Sequence, residues 1–109
     1  MSLTPPPAVL IDHFLPTYRE LIDRWSFLLR EFPLTFPTSW FRDQLNNERV
    51  GGSPDSQHLF GFAADFDTPE PLAFGALARE IGLIPVIEFD HVHVQAFPSG
   101  ALRRAGFFR

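Results

Sequence analysis

Residues 59–66, LFGFAADF, constrain this chain more than any other stretch. Phe60, Phe62, Ala64 and Phe66 alternate with Leu59, Gly61, Ala63 and Asp65, and a period of two places the two sets on opposite faces of a strand. The first face is core. The second carries small residues leading to a carboxylate, which leaves space above it. A carboxylate buried among such neighbours needs a partner, and a metal ion is one of the few adequate ones.

The rest of the chain supplies elements for that strand to pack against. In residues 16–32, Tyr18, Leu21, Ile22, Trp25, Leu28, Leu29 and Phe32 recur at steps of three and four, with Arg19, Glu20, Asp23, Arg24, Arg30 and Glu31 on the other side. That spacing predicts a scaffold helix. Pro16 suits its first turn, Pro33 stops it, and Glu20 and Arg24 pair one turn apart. Residues 1–8 are Pro-rich and predict a flexible or extended lead-in. Residues 38–41 predict a short strand, and Asp43 caps a short helix over 44–50 that Gly51–Gly52 ends. Residues 53–56 read as a turn. Thr68 and Pro69 open a further helix that Gly82 closes, with Leu72, Ala73, Ala76, Leu77 and Ile81 as its buried stripe. Residues 83–97 predict one or two strands, and residues 101–109 a tail carrying Arg103, Arg104 and Arg109. This order implies one α+β domain over 1–109, with a mainly antiparallel sheet and flanking helices.

Bulk properties narrow the function. A length of 109 residues fits one domain, and thirteen Phe fill a small core with few residues. A net charge of −4 argues against a nucleic-acid partner. The chain has no cysteine, so it forms no disulfide and any metal must sit on His and carboxylate ligands. The start, MSLTPPPAVLIDHF, has no basic leader followed by an apolar stretch, so no secretory signal is expected. No apolar run approaches the roughly 18 residues needed to span a membrane. A chain made in the cytoplasm, with no membrane partner, is expected.

Three of the four histidines fall in two segments, Ser56–Asp65 and Glu88–His93. Zinc takes imidazole nitrogen and carboxylate oxygen at about 2.0–2.2 Å, and a catalytic site leaves one position for water. Two His and one Asp meet that need, with His58, Asp65 and one of His91 and His93 as candidates. A nearby carboxylate can take a proton from the attacking water. From the residues alone, the His–Asp pair also fits a surface or capping feature, and His91-Val92-His93 also fits an exposed edge strand. His13 reads as an exposed or capping residue and Asp67 as a helix cap.

The segment FRDQLNNERVGGSPDSQHLFGFAADF resembles the zinc D-alanyl-D-alanine carboxypeptidase family, which includes L-alanyl-D-glutamate endopeptidases and has the Hedgehog/DD-peptidase fold. The family pattern Ser-x-His-x-x-Gly-x-Ala-x-Asp is met by Ser56, His58, Gly61, Ala63 and Asp65. Arg42, Leu45-Asn46 and Gly51-Gly52 match the preceding stretch, and Asp90-x-x-His93 matches the closing acid and histidine. The likeness covers roughly residues 38–97. It implies one zinc ion on His58, Asp65 and His93, with Asp90 as general base. It implies that Arg42 holds a substrate carboxylate or polarises the scissile carbonyl, and that Ser56 touches substrate. The implied reaction is hydrolysis of peptidoglycan stem peptides by a monomer acting on the wall after release, by phage lysis or from a virion. The alternative is a non-catalytic zinc-binding structural or virion assembly domain. Glu88-x-x-His91 has the same spacing and leaves a register shifted by two open. On a regular strand Asp90 and His93 face opposite sides, so the assignment requires a bulge or turn between residues 89 and 93.

Overall fold

The computed structural model describes residues 3–108. Its long helix, α1 (Ala8–Glu31), begins eight residues before Pro16. The backbone leaves helical geometry at Phe14 (φ −116°, ψ 25°). Pro16 lacks an N–H and its ring crowds the carbonyl four residues back, which accounts for a kink there. Pro16 therefore does open the main helical segment, and a short helical stretch precedes the kink. Tyr18, Leu21, Trp25 and Leu28 form the buried stripe, as their spacing requires. Leu3–Pro7 carry no helix or strand, and the Thr4 carbonyl accepts from the Phe41 N–H at 3.1 Å.

Strand β1 (Phe36–Ser39) follows, then α2 (Gln44–Arg49). The Asp43 side chain accepts from the Asn46 N–H at 2.8 Å, the expected cap. A single 3₁₀ turn, Gln57–Phe60, leads into β2 (Ala63–Asp67). The strand expected over 59–66 is thus shorter, because Gly61 takes φ +73° and ends the 3₁₀ turn. Helix α3 (Pro71–Glu80), hairpin strands β3 (Ile84–Ile87) and β4 (Val92–Gln95), and the short helix α4 (Ala101–Arg104) complete the order. The α3 stripe is met in part: Leu77 and Ile81 pack against the core, but Phe74, Gly75 and Ala78 are its buried residues, and Leu72 is 76% exposed. The helix starts at Pro71 rather than Thr68, and Gly75 faces Ile87 and Pro85 so closely that an added Cβ would lie 2.9 Å from Ile87 Cδ1.

The four strands form one antiparallel sheet in the order β1-β2-β4-β3. The register aligns Ser39, Asp65, His93 and Val86 in one row across it. Phe66, Ala64, Val92 and Val94 point the other way and join Leu21, Trp25, Leu28 and Phe74 in the core. One sheet face is therefore packed and the other carries the polar row. Among the described residues no helix is long and apolar enough to cross a membrane.

Candidate metal centre

The polar face of the sheet floors a cleft of about 860 Å³, lined by Arg42, Ser56, Asp65, Asp90, His91 and His93 among others. His58 is fully buried on the 3₁₀ turn, where Ser56 Oγ accepts from the His58 N–H at 3.2 Å and so caps the turn. The αL glycine at 61 then redirects the chain into β2. This brings His58 Nε2 to 3.1 Å from Asp65 Oδ1. Cross-strand pairing of Asp65 with His93 puts His93 Nδ1 3.1 Å from the same oxygen. The two ring nitrogens are 3.2 Å apart.

The far side of each ring decides which nitrogen carries the proton. His58 Nδ1 lies 2.5 Å from the Trp40 carbonyl oxygen. A carbonyl only accepts, so Nδ1 donates and Nε2 is left with its lone pair. His93 Nε2 lies 2.8 Å from Gln95 Oε1, so Nε2 donates and Nδ1 is left with its lone pair. Both bare nitrogens and the Asp65 carboxylate then converge on one point with no hydrogen between them. His58 is fully buried and Asp65 is 9% exposed. Three acceptors in that setting need a cation or a shared proton.

A family model described as Peptidase M15 matches residues 20–95, well over half of the chain and all of the cleft residues named above. The chain belongs to the M15 peptidase family. M15 peptidases are zinc-dependent, and the donors here fit that ion. Tetrahedral ligands with bonds of about 2.0–2.1 Å lie roughly 3.3 Å from one another, close to the 3.1–3.2 Å between these three atoms. His58, Asp65 and His93 are a possible metal-binding group. The M15 match begins at Glu20 and so takes in the second half of α1, which lay outside the likeness seen in the motifs alone. No curated protein and no solved structure matches the chain.

The other candidate residues line the same cleft. Asp90 sits in the β3–β4 turn, which the Glu88 N–H closes on the His91 carbonyl at 2.9 Å. The turn required between residues 89 and 93 is there, and it frees Asp90 from strand alternation. The Asp90 carboxylate is turned to His91 Nδ1 at 2.7 Å. That hydrogen bond lowers the Asp90 pKa. His91 Nε2 is 3.8 Å from Asp65 Oδ1, outside the group of three, so the register shifted by two is not the one that clusters. Arg42 lines the cleft, and its backbone N–H donates to the His58 carbonyl at 3.0 Å. Its Nε is buried without a hydrogen-bond partner among the described residues. Burial lowers its pKa, with Asp65 acting the other way.

Two residues hold the histidines in roles that sequence reading did not assign. The Trp40 carbonyl is a backbone atom and leaves no trace in residue type. Gln95 could have been found, because it lies two positions after His93 and so shares its strand face. His13 is exposed within α1, as expected. Thr68 Oγ1, rather than Asp67, accepts from the Glu70 N–H.

Proposed function

We propose that this chain hydrolyses the stem peptides of peptidoglycan, as a D-Ala-D-Ala carboxypeptidase or an L-Ala-D-Glu endopeptidase, with one zinc ion held by His58, Asp65 and His93. The supporting observation is the convergence of three acceptor atoms at zinc-like separations beside an open polar cleft. Zinc there would make water acidic near neutral pH and polarise the scissile carbonyl. The protein supplies the rest. Arg42, which lines the cleft, holds a substrate carboxylate or the carbonyl oxygen. Ser56 lines the substrate's path. Asp90 accepts the proton of the attacking water, either directly or through His91, whose Nε2 faces the centre while Asp90 holds Nδ1. The protein acts as a monomer on the wall after release from the cell or from a virion.

Digestion of purified peptidoglycan with and without chelator, with mass spectrometry of the fragments, tests this and names the bond. Chelator-sensitive release of D-Ala or of L-Ala-terminated fragments is expected. A chain that binds zinc tightly but releases nothing would be a non-catalytic zinc domain. Asp90→Asn and His91→Phe separate the proton routes. Both variants are expected to keep zinc. Loss of about 10²–10⁴-fold in rate for Asp90→Asn alone marks the direct route, and the same loss in both marks the route through His91.

A further inference from the structure

We propose that Gln95 is a positioning residue, which selects the His93 tautomer that presents Nδ1 to the metal. The proposal rests on the metal reading above.

His93 can carry its proton on either nitrogen. If Nδ1 were protonated, an N–H would point at Asp65 Oδ1 and occupy the place of the ion. The neighbour at Nε2 makes the choice. Gln95 Oε1 is 2.8 Å from Nε2 and can only accept. A glutamine amide can turn over, and a turned amide would present NH₂ to Nε2 and favour the other tautomer. Gln95 is prevented from turning. Its Nε2 donates to the Phe97 carbonyl at 2.8 Å and lies 3.4 Å from Ser99 Oγ. The carbonyl cannot donate, so a turned amide would set two acceptors against each other.

The Phe97 carbonyl is held in turn. Gln57 Nε2 donates to it at 2.6 Å, and the Phe97 N–H donates back to Gln57 Oε1 at 3.0 Å. Both glutamines are buried, at 5% and 7% exposure. Gln57 is the residue before His58 and lies in the same 3₁₀ turn. A continuous chain of hydrogen bonds therefore runs from His93 through Gln95, Phe97 and Gln57 to the segment that carries the other histidine ligand. The His58 proton is placed by the Trp40 carbonyl, and the His93 proton by this chain. Partners of this kind set ring orientation and ligand basicity in metal sites. Here the partner at His93 is a neutral amide, so it orients the ring without adding charge.

The test uses the whole chain, with zinc affinity measured by competition against a chromophoric chelator and the His93 tautomer read by long-range ¹H–¹⁵N NMR of the metal-free protein. Gln95→Leu removes the acceptor, and Gln95→Glu keeps an oxygen for His93 Nε2–H. The wild type is expected to show His93 protonated on Nε2. Gln95→Leu should weaken zinc by about 10–100-fold and lose the single tautomer, while Gln95→Glu, which keeps the acceptor for His93 but sets its second oxygen against the Phe97 carbonyl, should keep His93 protonated on Nε2. A purely structural glutamine would change the unfolding temperature and leave both readouts alone. Leu and wild type binding zinc equally would overturn the proposal, as would loss of the Nε2 tautomer in Gln95→Glu. If Gln95→Leu does not fold, the wild-type spectrum still decides, because a proton on Nδ1 would overturn it. A wild type that takes up no zinc, yet carries its proton on Nε2, would sink the metal reading and leave only the choice of tautomer by Gln95 standing.

Discussion

Asp65→Asn should make the metal-free protein more stable and the zinc-loaded protein relatively less so, reversing the order of the two chains. Without a cation, Asp65 Oδ1 sits 3.1 Å from two ring nitrogens that present lone pairs. Each buried acceptor left without a donor costs about 1–3 kcal/mol. Asparagine has nearly the same shape, and its NH₂ can donate to His58 Nε2 and His93 Nδ1 together. Removing the buried charge and satisfying one or two acceptors should stabilise the metal-free fold by about 1–3 kcal/mol. For a domain of about a hundred residues that is roughly 4 °C per kcal/mol in Tm. Zinc at a thousandfold excess over its dissociation constant should raise the wild type by about 4.1 kcal/mol, and the variant by much less, since the amide is a poor ligand. Thermal unfolding by circular dichroism at about pH 8, above the ordinary histidine range, reads both conditions. Lower stability of Asp65→Asn by more than about 1 kcal/mol in chelator, beyond the scatter of an innocuous change, would refute the argument that the three atoms repel. An equal zinc shift in both chains would refute the assignment of Asp65 as a ligand.

Tyr18 is the only tyrosine. Its hydroxyl donates to the Phe60 carbonyl at 2.6 Å, and burial pushes its pKa up to about 12. Phenolate absorbance should therefore titrate near 12 in the folded chain and near about 10 in denaturant. An acid whose folded pKa is raised contributes stability that is present below the unfolded value and lost above it, so the fold should weaken as pH rises from about 10 towards about 12. A folded midpoint near the ordinary tyrosine value would contradict the burial. Gly61→Ala should cost about 1–2 kcal/mol for the left-handed backbone alone. It should also displace Pro6, since the added Cβ would lie 2.5 Å from Pro6 Cγ. A loss below about 0.5 kcal/mol in urea unfolding, the range of a neutral surface change, would show that the turn can relax.

Much of the scaffold was legible because it depends on local periodicity. The α1 stripe of Tyr18, Leu21, Trp25 and Leu28 and the Asp43 cap follow from spacing and side-chain chemistry within one element. The failures are also physical. Alternation over residues 59–66 reads as one strand because Phe60 and Phe62 are both large and apolar. The Gln57–Phe60 turn shares that composition, and only the positive φ at Gly61 separates the two. Phe60 is held at the side of the core, with its ring 5.2 Å from Phe107 and 6.1 Å from Phe62. In α3 apolar spacing points to Leu72, Ala73, Ala76, Leu77 and Ile81, whereas the helix approaches β3 through Gly75. Closest approach selects the smallest residue, so the glycine marks the packed face and Leu72 is left outside.

The site divides along the same line. The spacing of His58 and Asp65 carries its own geometry: a capped 3₁₀ turn, an αL glycine and the first residues of a strand make the two side chains converge within one local unit. His93 arrives through sheet register, which a strand pattern predicts only once its partner strand is known. The conflict between Asp90 and His93 on opposite faces was itself informative, because only a turn ahead of β4 removes it, and that turn is closed between Glu88 and His91. Proton placement is the part hardest to read from residue types. At His58 it depends on a main-chain carbonyl, and any residue at position 40 would supply one. At His93 it depends on an amide whose orientation is set by Phe97, and through it by Gln57, 40 residues earlier. The meeting of the three candidate ligands is thus a property of motif and register, while their proton placement is set by acceptors brought in from elsewhere in the fold.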